Sequence, residues 1–451
     1  MAVTTTTTDA TTTETAPLPI LIAGAGLASL LLAQALRGAG IPFLIYERDA
    51  SVSFRAQGYR LRLSREGLAA IESVLEPEHW KLFWDTCGKT NAPKGAKAAG
   101  FTVIDALTGE ELPSLDVGGG GGEPGSVTGA ASGSETDSSA ATTPPSGNKS
   151  SGEILLSRDG KIVGISRGDM RRLFMQGCET NIQWSHTVTG YEHSTSPAGT
   201  TAGVRAIFAD GTRSVLGSML IGGEGIYSKT AKQVSGGRLK VYDTGARGIH
   251  GQAPTTAFKS LGEGVWALRD ESHPKGGVFM ITNVRAGDMD DPSLNFGWTM
   301  GAVPGVINPP GDNFSVIGQP AADVARDLAK NWHPRVRPLV DQMIDSEAAF
   351  WKITCSTPSG VPEWENDERV TVIGDAVHSM TPAGGNGANT ALRDSALLGG
   401  MIAKAGGWRQ GLTREYEEIM RVYGSEEVHK SYSSAAKQWG VNIDEHSLQV
   451  G

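Results

Sequence analysis

The sequence predicts an α/β protein that joins a Rossmann-like nucleotide-binding domain to a mixed β-sheet domain and C-terminal helices. Three observations predict this class. Residues 19–49, PILIAGAGLASLLLAQALRGAGIPFLIYERD, follow a strand, glycine turn, helix and strand pattern, and residues 370–400 repeat the strand, turn and helix. Apolar segments such as GVFMITNV and LNFGWTMGAV predict the strands of the second sheet.

The N-terminal turn carries the signature of a dinucleotide site. Gly24 and Gly26 permit a tight turn and close approach of a pyrophosphate, and a helix over about residues 27–37 offers it free amides. The third glycine of GxGxxG is Ser29, a small residue that still allows the helix to pack on the strand. Glu47 ends the second strand, where a carboxylate accepts ribose hydroxyls and repels a 2'-phosphate. This predicts FAD or NAD rather than NADP.

Residues 20–36 are uncharged and could alternatively be interpreted as a membrane span. The two glycines of the turn and the strand that follows closely favour the nucleotide fold, so no membrane span is predicted. Residues 1–17 form a Thr-rich leader without a basic region or a cleavage pattern. They are expected to form a disordered tail rather than a signal peptide.

The segment VTVIGDAVHSMTPAGGNGANTALRDSALLGG, residues 370–400, predicts a second ligand contact. An apolar strand over residues 370–373 delivers Asp375 at its end, and Pro382, Gly384, Gly385 and Gly387 bring backbone close to a ligand. A helix over about residues 389–404 then points its N-terminus at this place. Free amides there favour a negative or electron-rich group by about 0.3 to 1 kcal/mol when exposed. The alternative is a simple strand–loop–helix connection.

Two further motifs lie between these ends. ISRGDMRRLF, residues 165–174, places Arg167 at a helix start, and LIGGEGIYSKTAK, residues 220–232, places an acidic residue between glycines after a strand. With this order of motifs, the chain resembles the class A, single-component FAD-dependent aromatic hydroxylases over about residues 18–415. The resemblance implies the hydroxylase fold with a GR2-type FAD-binding domain. The chain departs from the family pattern at four positions, which are Ser29, Glu224, Ala231 and Asn386.

The resemblance implies one extended FAD site. The ADP half would be held by Gly24, Gly26, Leu27, Ala28, Glu47 and Arg48, and Asp375 would hold the ribityl chain. Arg167 would contact the cofactor from its helix start, with a solvated surface arginine as the alternative. Pro382 would lie beside the isoalloxazine, and the amides around Gly385, Gly387, Ala388 and Asn389 would face flavin N1, where the reduced ring is anionic.

By the same resemblance, Arg55 and Arg60 would lie near the flavin edge and the nicotinamide donor. The alternative is that both belong to an exposed strand in which Arg and Leu alternate. For catalysis, the residue types offer only weak candidates, namely Arg60, Tyr227 and His250. His378 is expected to support the turn rather than to transfer protons. Pocket wall candidates are Phe279, Phe296, Trp298 and Met300, and ordinary core packing is the alternative for each.

The resemblance also implies the reaction. NADPH or NADH, bound transiently, would reduce FAD, and O2 would add at C4a to give a hydroperoxide that oxygenates an aromatic or polycyclic small molecule, in secondary metabolism or aromatic breakdown. The alternatives are a flavin oxidase or reductase of the same fold, a halogenase, and a non-catalytic FAD-binding protein. A halogenase would be expected to carry a WxWxIP-like motif, which the sequence lacks.

The composition of the 451 residues limits the classes of binding partner that are expected. A net charge of −9 argues against nucleic acid and anionic membranes. Cys87, Cys178 and Cys355 lack metal-site spacing and leave an odd thiol, which predicts a reducing cytoplasm and no metal. The chain is expected to act as a monomer or a homodimer.

The predicted domain division is discontinuous. Residues 18–90, 153–235 and 365–411 are assigned to the FAD-binding domain, 91–116 and 236–364 to the substrate domain, and 412–451 to a C-terminal segment of one or two helices. Residues 117–152 are almost entirely Gly, Ser, Thr, Pro and Ala and predict a flexible insertion. The flanking strands FTVIDALTGEEL and EILLSRDGKIVGI are expected to pair as a hairpin across this insertion.

Overall fold

The computed structural model of the chain describes residues 17–52, 60–91, 102–112, 161–195, 201–284, 288–309, 316–444 and 446–450. The leader before Pro17, the low-complexity insertion at 117–152 and Arg55 lie outside the described residues. The side chain of Arg60 also lies outside the description, although its backbone opens a strand.

The strands are, in chain order, β1 Ile20–Ala23, β2 Phe43–Tyr46, β3 Arg60–Leu63, β4 Gly88–Asn91, β5 Thr102–Asp105, β6 Glu111–Leu112, β7 Lys161–Ser166, β8 Ile182–Gln183, β9 Val188–Thr195, β10 Thr201–Phe208, β11 Met219–Gly222, β12 Val241–Pro254, β13 Gly264–Asp270, β14 Val278–Val284, β15 Asn295–Ala302, β16 Ala349–Ser356 and β17 Val370–Val372.

The α-helices are α1 Leu27–Gly38, α2 Arg65–Val74, α3 Pro77–Thr86, α4 Arg167–Met175, α5 Lys229–Val234, α6 Gln319–Leu328, α7 Pro338–Asp341, α8 Asp375–His378, α9 Gly387–Ala405 and α10 Leu412–Trp439. Short 3-10 turns include Gly225–Tyr227 and Pro382–Gly384. The helix predicted from Asn389 begins two residues earlier, at Gly387.

A five-stranded parallel sheet carries both ends of the predicted nucleotide site. Its order is β17-β11-β1-β2-β8, so β1 and β17 are separated only by β11. Every residue of β1, β11 and β17 is buried, as expected for strands covered on both faces. Because the strands are parallel, the turns after β1, β11 and β17 meet at one edge of the sheet. The Rossmann-like fold expected from the sequence is confirmed.

A seven-stranded mixed sheet forms the second large element, in the order β16-β12-β15-β14-β13-β5-β6. Its strands are antiparallel apart from the parallel pair of β13 and β5. Side chains alternate between its two faces. Phe296, Trp298 and Met300 fill the hydrophobic core on one face, whereas Phe279 of β14 lies on the other face and stacks on Trp439.

Three of the four wall candidates are therefore core residues. Phe296, Trp298 and Met300 are at most 2% exposed and pack away from the face that carries Phe279. The sequence could not separate these alternatives, because the two-residue period of a strand defines two faces without saying which of them lines a pocket.

The described parts of the two strands do not form the hairpin expected across the low-complexity insertion, and residues 153–160 of the second strand lie outside the described residues. Strand β5 pairs with β6 and β13 in the seven-stranded sheet. Strand β7 pairs with β3 and β4 in a separate three-stranded sheet. Strand β5 thus has one neighbour close in sequence and one distant, and both partners of β7 are distant; local patterns do not encode the distant pairings.

The C-terminal segment forms one continuous helix, α10, of 28 residues. It contacts α9, β16, β17 and the Pro382–Gly384 turn. Tyr416 and Met420 are fully buried within the core that the parallel sheet shares with α1 and α9. Helix α10 therefore packs behind the second ligand-contact segment and links the two large sheets.

Candidate functional site

The turn after β1 has the backbone geometry of a close-approach site. Gly24 adopts a φ of +86°, and a Cβ at this position would lie 2.7 Å from the carbonyl oxygen of Gly223. Gly26 is the N-cap of α1 and provides no side-chain cap to the helix. Leu27 and Ala28 are partly exposed there. The first amides of α1 therefore face an open position that suits phosphate.

Two charged side chains brace this turn from inside the protein. Glu47, 7% exposed, accepts hydrogen bonds from the Ala25 N–H at 2.6 Å and the Asp49 N–H at 2.9 Å. Arg171 of α4, 3% exposed, donates through Nε to the Ala25 carbonyl at 3.0 Å. Its guanidinium lies 3.6 Å from the Glu47 carboxylate. Glu47 thus holds the turn itself, and its contact with a ribose stays a prediction. Arg48 beside it is exposed.

The sequence reasoning missed Arg171. It selected Arg167, four residues earlier on the same helix, because only that arginine occupies the helix start. The available signal was the RGDMRRLF pattern, in which two further arginines follow one turn later. An amphipathic helix that buries one of them needs a carbonyl or carboxylate partner for it.

The loop after β11 supports the same turn. A Cβ on Gly223 would lie 2.2 Å from Ser29 Oγ, so the small residue at each position permits close packing of α1 on this loop. Glu224, which replaces the family's aspartate, accepts hydrogen bonds from the hydroxyls of Ser228 at 2.7 Å and Thr230 at 2.6 Å. Desolvation raises the pKa of Glu224, and these hydrogen bonds lower it in part.

The segment after β17 presents the second half of the cleft. Gly374 has a φ of +64° and leads into Asp375, the exposed first residue of α8. Pro382 and Gly385 are exposed. Gly385 has a φ of +67°, and among the described residues no atom beyond its two chain neighbours lies within 4 Å of a Cβ placed on it. Helix α9 then starts without a side-chain cap, so the amides at its N-terminus are available to a ligand.

Arg167 lies close enough to Asp375 for its charge to act on that carboxylate. It is the first residue of α4, whose N-cap Ser166 accepts a hydrogen bond from the Asp169 N–H. Desolvation by the surrounding atoms raises the pKa of Asp375, although the residue is exposed on the protein surface. The charges of His378 and Arg167 partly offset this increase. The structure thus brings Arg167 and Asp375 together from positions about 200 residues apart.

Asn389 ties this segment to β3. Its amide nitrogen donates to the carbonyl oxygens of Arg62 and Gly385, each at 3.1 Å. Its side-chain oxygen accepts from the Ser64 N–H at 2.9 Å. Asn389 is 5% exposed, so it holds the glycine turn in shape from behind rather than offering its side chain to solvent.

A buried network lies behind Asp375. The Asp394 carboxylate accepts from the Gly374 N–H at 2.7 Å and from the Tyr423 hydroxyl at 2.6 Å, and it lies 2.7 Å from His378 Nε2. Burial lowers the pKa of His378, but the Asp394 charge and hydrogen bond outweigh burial and raise it overall. Both Asp394 and His378 are 0% exposed. His378 therefore supports the turn, as expected, and Asp394 and Tyr423 were missed.

Of the three weak catalytic candidates, the side chain of Arg60 lies outside the description, and Tyr227 and His250 lie on different elements with different partners. Tyr227 is 44% exposed on the Gly225–Tyr227 turn. His250 stacks on Trp351 with ring centroids 4.9 Å apart, and its Nδ1 lies 2.8 Å from the Thr299 hydroxyl. Burial lowers the pKa of His250 to about 3, so this imidazole is neutral at physiological pH. A general base works best with a pKa near the working pH, which disfavours His250 in that role.

An aromatic surface adjoins the glycine turn. The Phe279 and Trp439 rings stack with centroids 5.2 Å apart and an interplanar angle of 2°. They share a hydrophobic cluster with Trp351, Tyr432 and Ala383, and Ala383 belongs to the Pro382–Gly384 turn. We call the side of the seven-stranded sheet that carries Phe279, His250 and Trp351 the aromatic face. It borders the cleft where the flavin ring is expected.

The residues present fit FAD. Two uncapped helix starts, two glycine turns with left-handed backbone and an exposed carboxylate line one edge of the parallel sheet. This arrangement offers amides to a pyrophosphate at one end and to an electron-rich ring at the other, with Asp375 between them to accept hydroxyl hydrogens. Gly385 is exposed and Gly24 and Gly26 are partly exposed, which leaves backbone open to both groups.

Comparison with known proteins agrees with this fit. The model of the FAD binding domain family matches residues 166–426, more than half of the chain. A dual O-methyltransferase/FAD-dependent monooxygenase of Cercospora beticola is 26% identical over 94% of this chain and 46% of its own length. Another from Phaeosphaeria nodorum is 29% identical over 86% of this chain and 40% of its own length. The chain thus spans less than half the length of these two relatives.

A relative of similar length and several solved structures also match. An FAD-dependent monooxygenase of Emericella nidulans is 25% identical over 87% of this chain and 88% of its own. Klebsiella pneumoniae HpxO complexed with FAD and uric acid superposes with a TM-score of 0.66, at 17% identity, over 94% of this chain and 89% of that one. For 2,6-dihydroxypyridine-3-hydroxylase from Arthrobacter nicotinovorans the TM-score is 0.64, at 15% identity, over 95% of each chain.

The alternative of a membrane span at residues 20–36 is not supported. These residues form β1, the glycine turn and most of α1. Among the described residues, no helix combines the length and apolar character needed to cross a bilayer. The matched family, the FAD-compatible cleft and the shared fold lead to one assignment: the chain belongs to the FAD binding domain family, with FAD as its cofactor.

Proposed function

We propose that the protein is an FAD-dependent monooxygenase that uses NAD(P)H and O2 to oxygenate an aromatic or polycyclic small molecule. The observation that carries this proposal is the aromatic face beside the glycine turn at Pro382–Gly384. An apolar aromatic surface next to the redox end of an FAD cleft suits an electron-rich ring as the acceptor of oxygen.

Residues at both ends of the cleft would hold the cofactor. The amides at the start of α1, with Gly24 and Gly26, would bind the pyrophosphate, and Glu47 and Asp375 would accept hydroxyl hydrogens of the ribose and ribityl chain. Arg167 would neutralise charge near Asp375. FAD, when bound, supplies hydride acceptance from the nicotinamide and activation of O2.

The N-terminus of α9 would stabilise negative charge at the redox end. Its first amides have no side-chain cap, and the helix dipole favours an anion there. Asn389 fixes the turn that precedes this helix by bonding to Gly385 and to Arg62. The protein thereby provides fixed donors instead of mobile water at the place where charge develops.

The aromatic face would exclude water from the acceptor ring. Phe279, Trp351 and Trp439 cover the sheet beside the cleft, and His250 stays neutral against Trp351. A dry surface suppresses the loss of activated oxygen to solvent. The proposal needs no general base, because an electron-rich ring attacks an electrophilic oxygen directly.

The relatives favour this reaction over its rivals. Two carry the words FAD-dependent monooxygenase in their names beside an O-methyltransferase activity, and a third is named FAD-dependent monooxygenase alone. The fungal relatives with paired methyltransferase activity suit a substrate of secondary metabolism. A flavin oxidase, a reductase, a halogenase and a non-catalytic FAD-binding protein are the competing functions.

Isotopic labelling tests the proposal. The holoprotein would be screened with naphthols, anthrones and hydroxybenzoates for compounds that stimulate NADPH and NADH oxidation. Products of positive compounds would then be analysed by mass spectrometry after reaction under 18O2. One labelled oxygen atom per product is expected. Unlabelled product points to an oxidase or reductase instead, and a colourless protein that cannot be reconstituted with FAD would contradict the enzyme assignment.

A further inference from the structure

Asn386 occupies the N-cap position of α9 without acting as a cap. Asparagine is among the residues preferred at this position, because its side-chain oxygen can accept a hydrogen bond from an amide of the first helical turn. In the described part of the chain Asn386 makes no such bond, and its φ of −96° and ψ of −13° differ from the extended backbone of a usual N-cap. The first amides of α9 therefore lack the partner that the sequence offers them.

The side chain of Asn386 is held by α10 instead. Its amide nitrogen donates to Glu427 Oε2 at 2.6 Å, and the other oxygen of that carboxylate accepts from Lys430 Nζ at 2.8 Å. The Glu427 side chain is only 20% exposed. Because a hydrogen bond to an ionised acceptor is stronger than one between neutral groups, Glu427 can hold this side chain against the competing helix amides.

A second contact fixes α10 against the same turn. Ser431 lies four residues after Glu427, on the same face of α10. Ser431 Oγ donates to the Thr381 carbonyl at 2.8 Å, and Thr381 Oγ1 donates to the Ser431 carbonyl at 3.1 Å. Both residues are 1% exposed. Because Thr381 precedes the glycine turn and Asn386 follows it, α10 holds this turn at both ends.

The amides that Asn386 leaves uncapped face the cleft. Gly387 and Ala388, the first residues of α9, are partly exposed, and Gly385 before them is exposed. An N-cap side chain and a bound ligand would both use the free amides of this first turn. A capped α9 would therefore offer fewer donors to an electron-rich ring.

We propose that Glu427 is a positioning residue for FAD: by holding Asn386 it prevents this residue from capping α9, and it thereby keeps the first amides of the helix open to the flavin. This role rests on the proposed function, which places these amides at the redox end of FAD. Loss of the Glu427 charge alone would favour an anionic cofactor. Weaker FAD binding by a Glu427→Ala variant would therefore come from the released side chain rather than from charge.

Combined substitutions separate this role from general support of the turn. The dissociation constant of FAD would be measured by fluorescence titration of each apoprotein. Glu427→Ala frees Asn386 to cap α9, so the constant should rise about fivefold, the factor that corresponds to a typical N-cap hydrogen bond. Asn386→Ala removes the competing cap together with the contact and should keep wild-type affinity. The double variant Glu427→Ala/Asn386→Ala should regain that affinity, whereas a merely structural contact would give no such rescue.

Asn386→Ser provides an independent test that leaves α10 unchanged. Serine caps helices as well as asparagine does, but its shorter side chain loses the bond to Glu427. This variant should therefore weaken FAD binding as Glu427→Ala does, and its apoprotein should have a higher thermal midpoint than Asn386→Ala because the cap is formed. Glu426→Ala is the matched control, since the Glu426 side chain is 62% exposed and lies 3.9 Å from the same Lys430. It should bind FAD as the wild type does.

Any of three results would overturn the role of Glu427. These are unchanged or tighter FAD binding by Glu427→Ala, a double variant that binds FAD no better than Glu427→Ala, and equal FAD affinities of Asn386→Ser and Asn386→Ala. If Glu427→Ala does not fold, the two Asn386 variants decide the question. The expected pattern of affinities without 18O in the product would refute the monooxygenase proposal and leave the role of Glu427 intact. Labelled product together with any of the three results would refute that role alone.

Discussion

Asp394 and His378 form a buried pair directly behind the exposed carboxylate of Asp375. His378 Nε2 lies 2.7 Å from Asp394 Oδ2, and neither side chain is exposed. The same carboxylate holds the Gly374 N–H and the Tyr423 hydroxyl. One residue of α9 therefore fixes the backbone that precedes Asp375, and α10 supports the cofactor cleft through Tyr423.

Removal of the Asp394 carboxylate should destabilise the protein strongly. Asp394→Ala leaves His378, Tyr423 and the Gly374 amide without their buried acceptor, so a loss of about 3–5 kcal/mol in the free energy of unfolding is expected. Urea denaturation would measure it, with Asp327→Ala as the control, because Asp327 is exposed and its carboxylate accepts a hydrogen bond from Lys330 at the surface. Equal stability of the two variants would contradict the role of the network.

The same pair predicts a pH dependence. The pKa of His378 is raised above 6.5 because Asp394 outweighs the effect of burial. A raised pKa in the folded state gives stability that is complete below the unfolded pKa and is lost as the pH rises through the folded pKa. The free energy of unfolding should therefore fall above pH 6.5 in the wild-type protein and fall less in His378→Gln. Parallel pH profiles of the two proteins would refute this assignment.

Arg171 should be needed for FAD retention. Arg171→Met removes the donor to the Ala25 carbonyl and leaves Glu47 without its buried counter-charge. We expect the dissociation constant of FAD to rise at least about tenfold, with a stability loss of about 1.5–3 kcal/mol, since the lost bond involves a charged donor. Fluorescence titration of apoprotein with FAD provides the measurement.

The adjacent residue supplies the matched control. Arg172 belongs to the same helix, but its side chain is 62% exposed and pairs with Asp169 at the surface. Arg172→Met should therefore keep wild-type FAD affinity and stability. Similar losses in the two variants would show that the effect comes from the helix rather than from the contact with Ala25.

The sequence was sufficient to predict those elements whose stabilising contacts are local in the chain. The strand, turn and helix around Gly24 follow from glycine spacing and hydrophobic pattern within about 30 residues, and the same holds for the segment around Asp375. The N-cap at Ser166 and the start of α4 at Arg167 are equally local signals. Each of these elements has a characteristic residue at a fixed offset.

The parts that the sequence did not reveal depend on long-range register. The partners of β5 and β7 lie in different sheets, and the face of β15 that carries Trp298 is set by what packs on the sheet. Tyr423 reaches Asp394 from another helix. A single sequence contains no direct record of such pairings.

The central claim is that the segments around Gly24 and Asp375 form one FAD site, and titration of Asp375→Ala apoprotein with FAD tests it most directly. Asp375 is exposed, so its replacement should leave the thermal midpoint of the apoprotein unchanged. The account predicts an FAD dissociation constant at least about tenfold above the wild-type value, because a charge-assisted hydrogen bond is lost. Asp341→Ala, at another exposed position, should bind as the wild type. Wild-type FAD affinity in Asp375→Ala would contradict the claim.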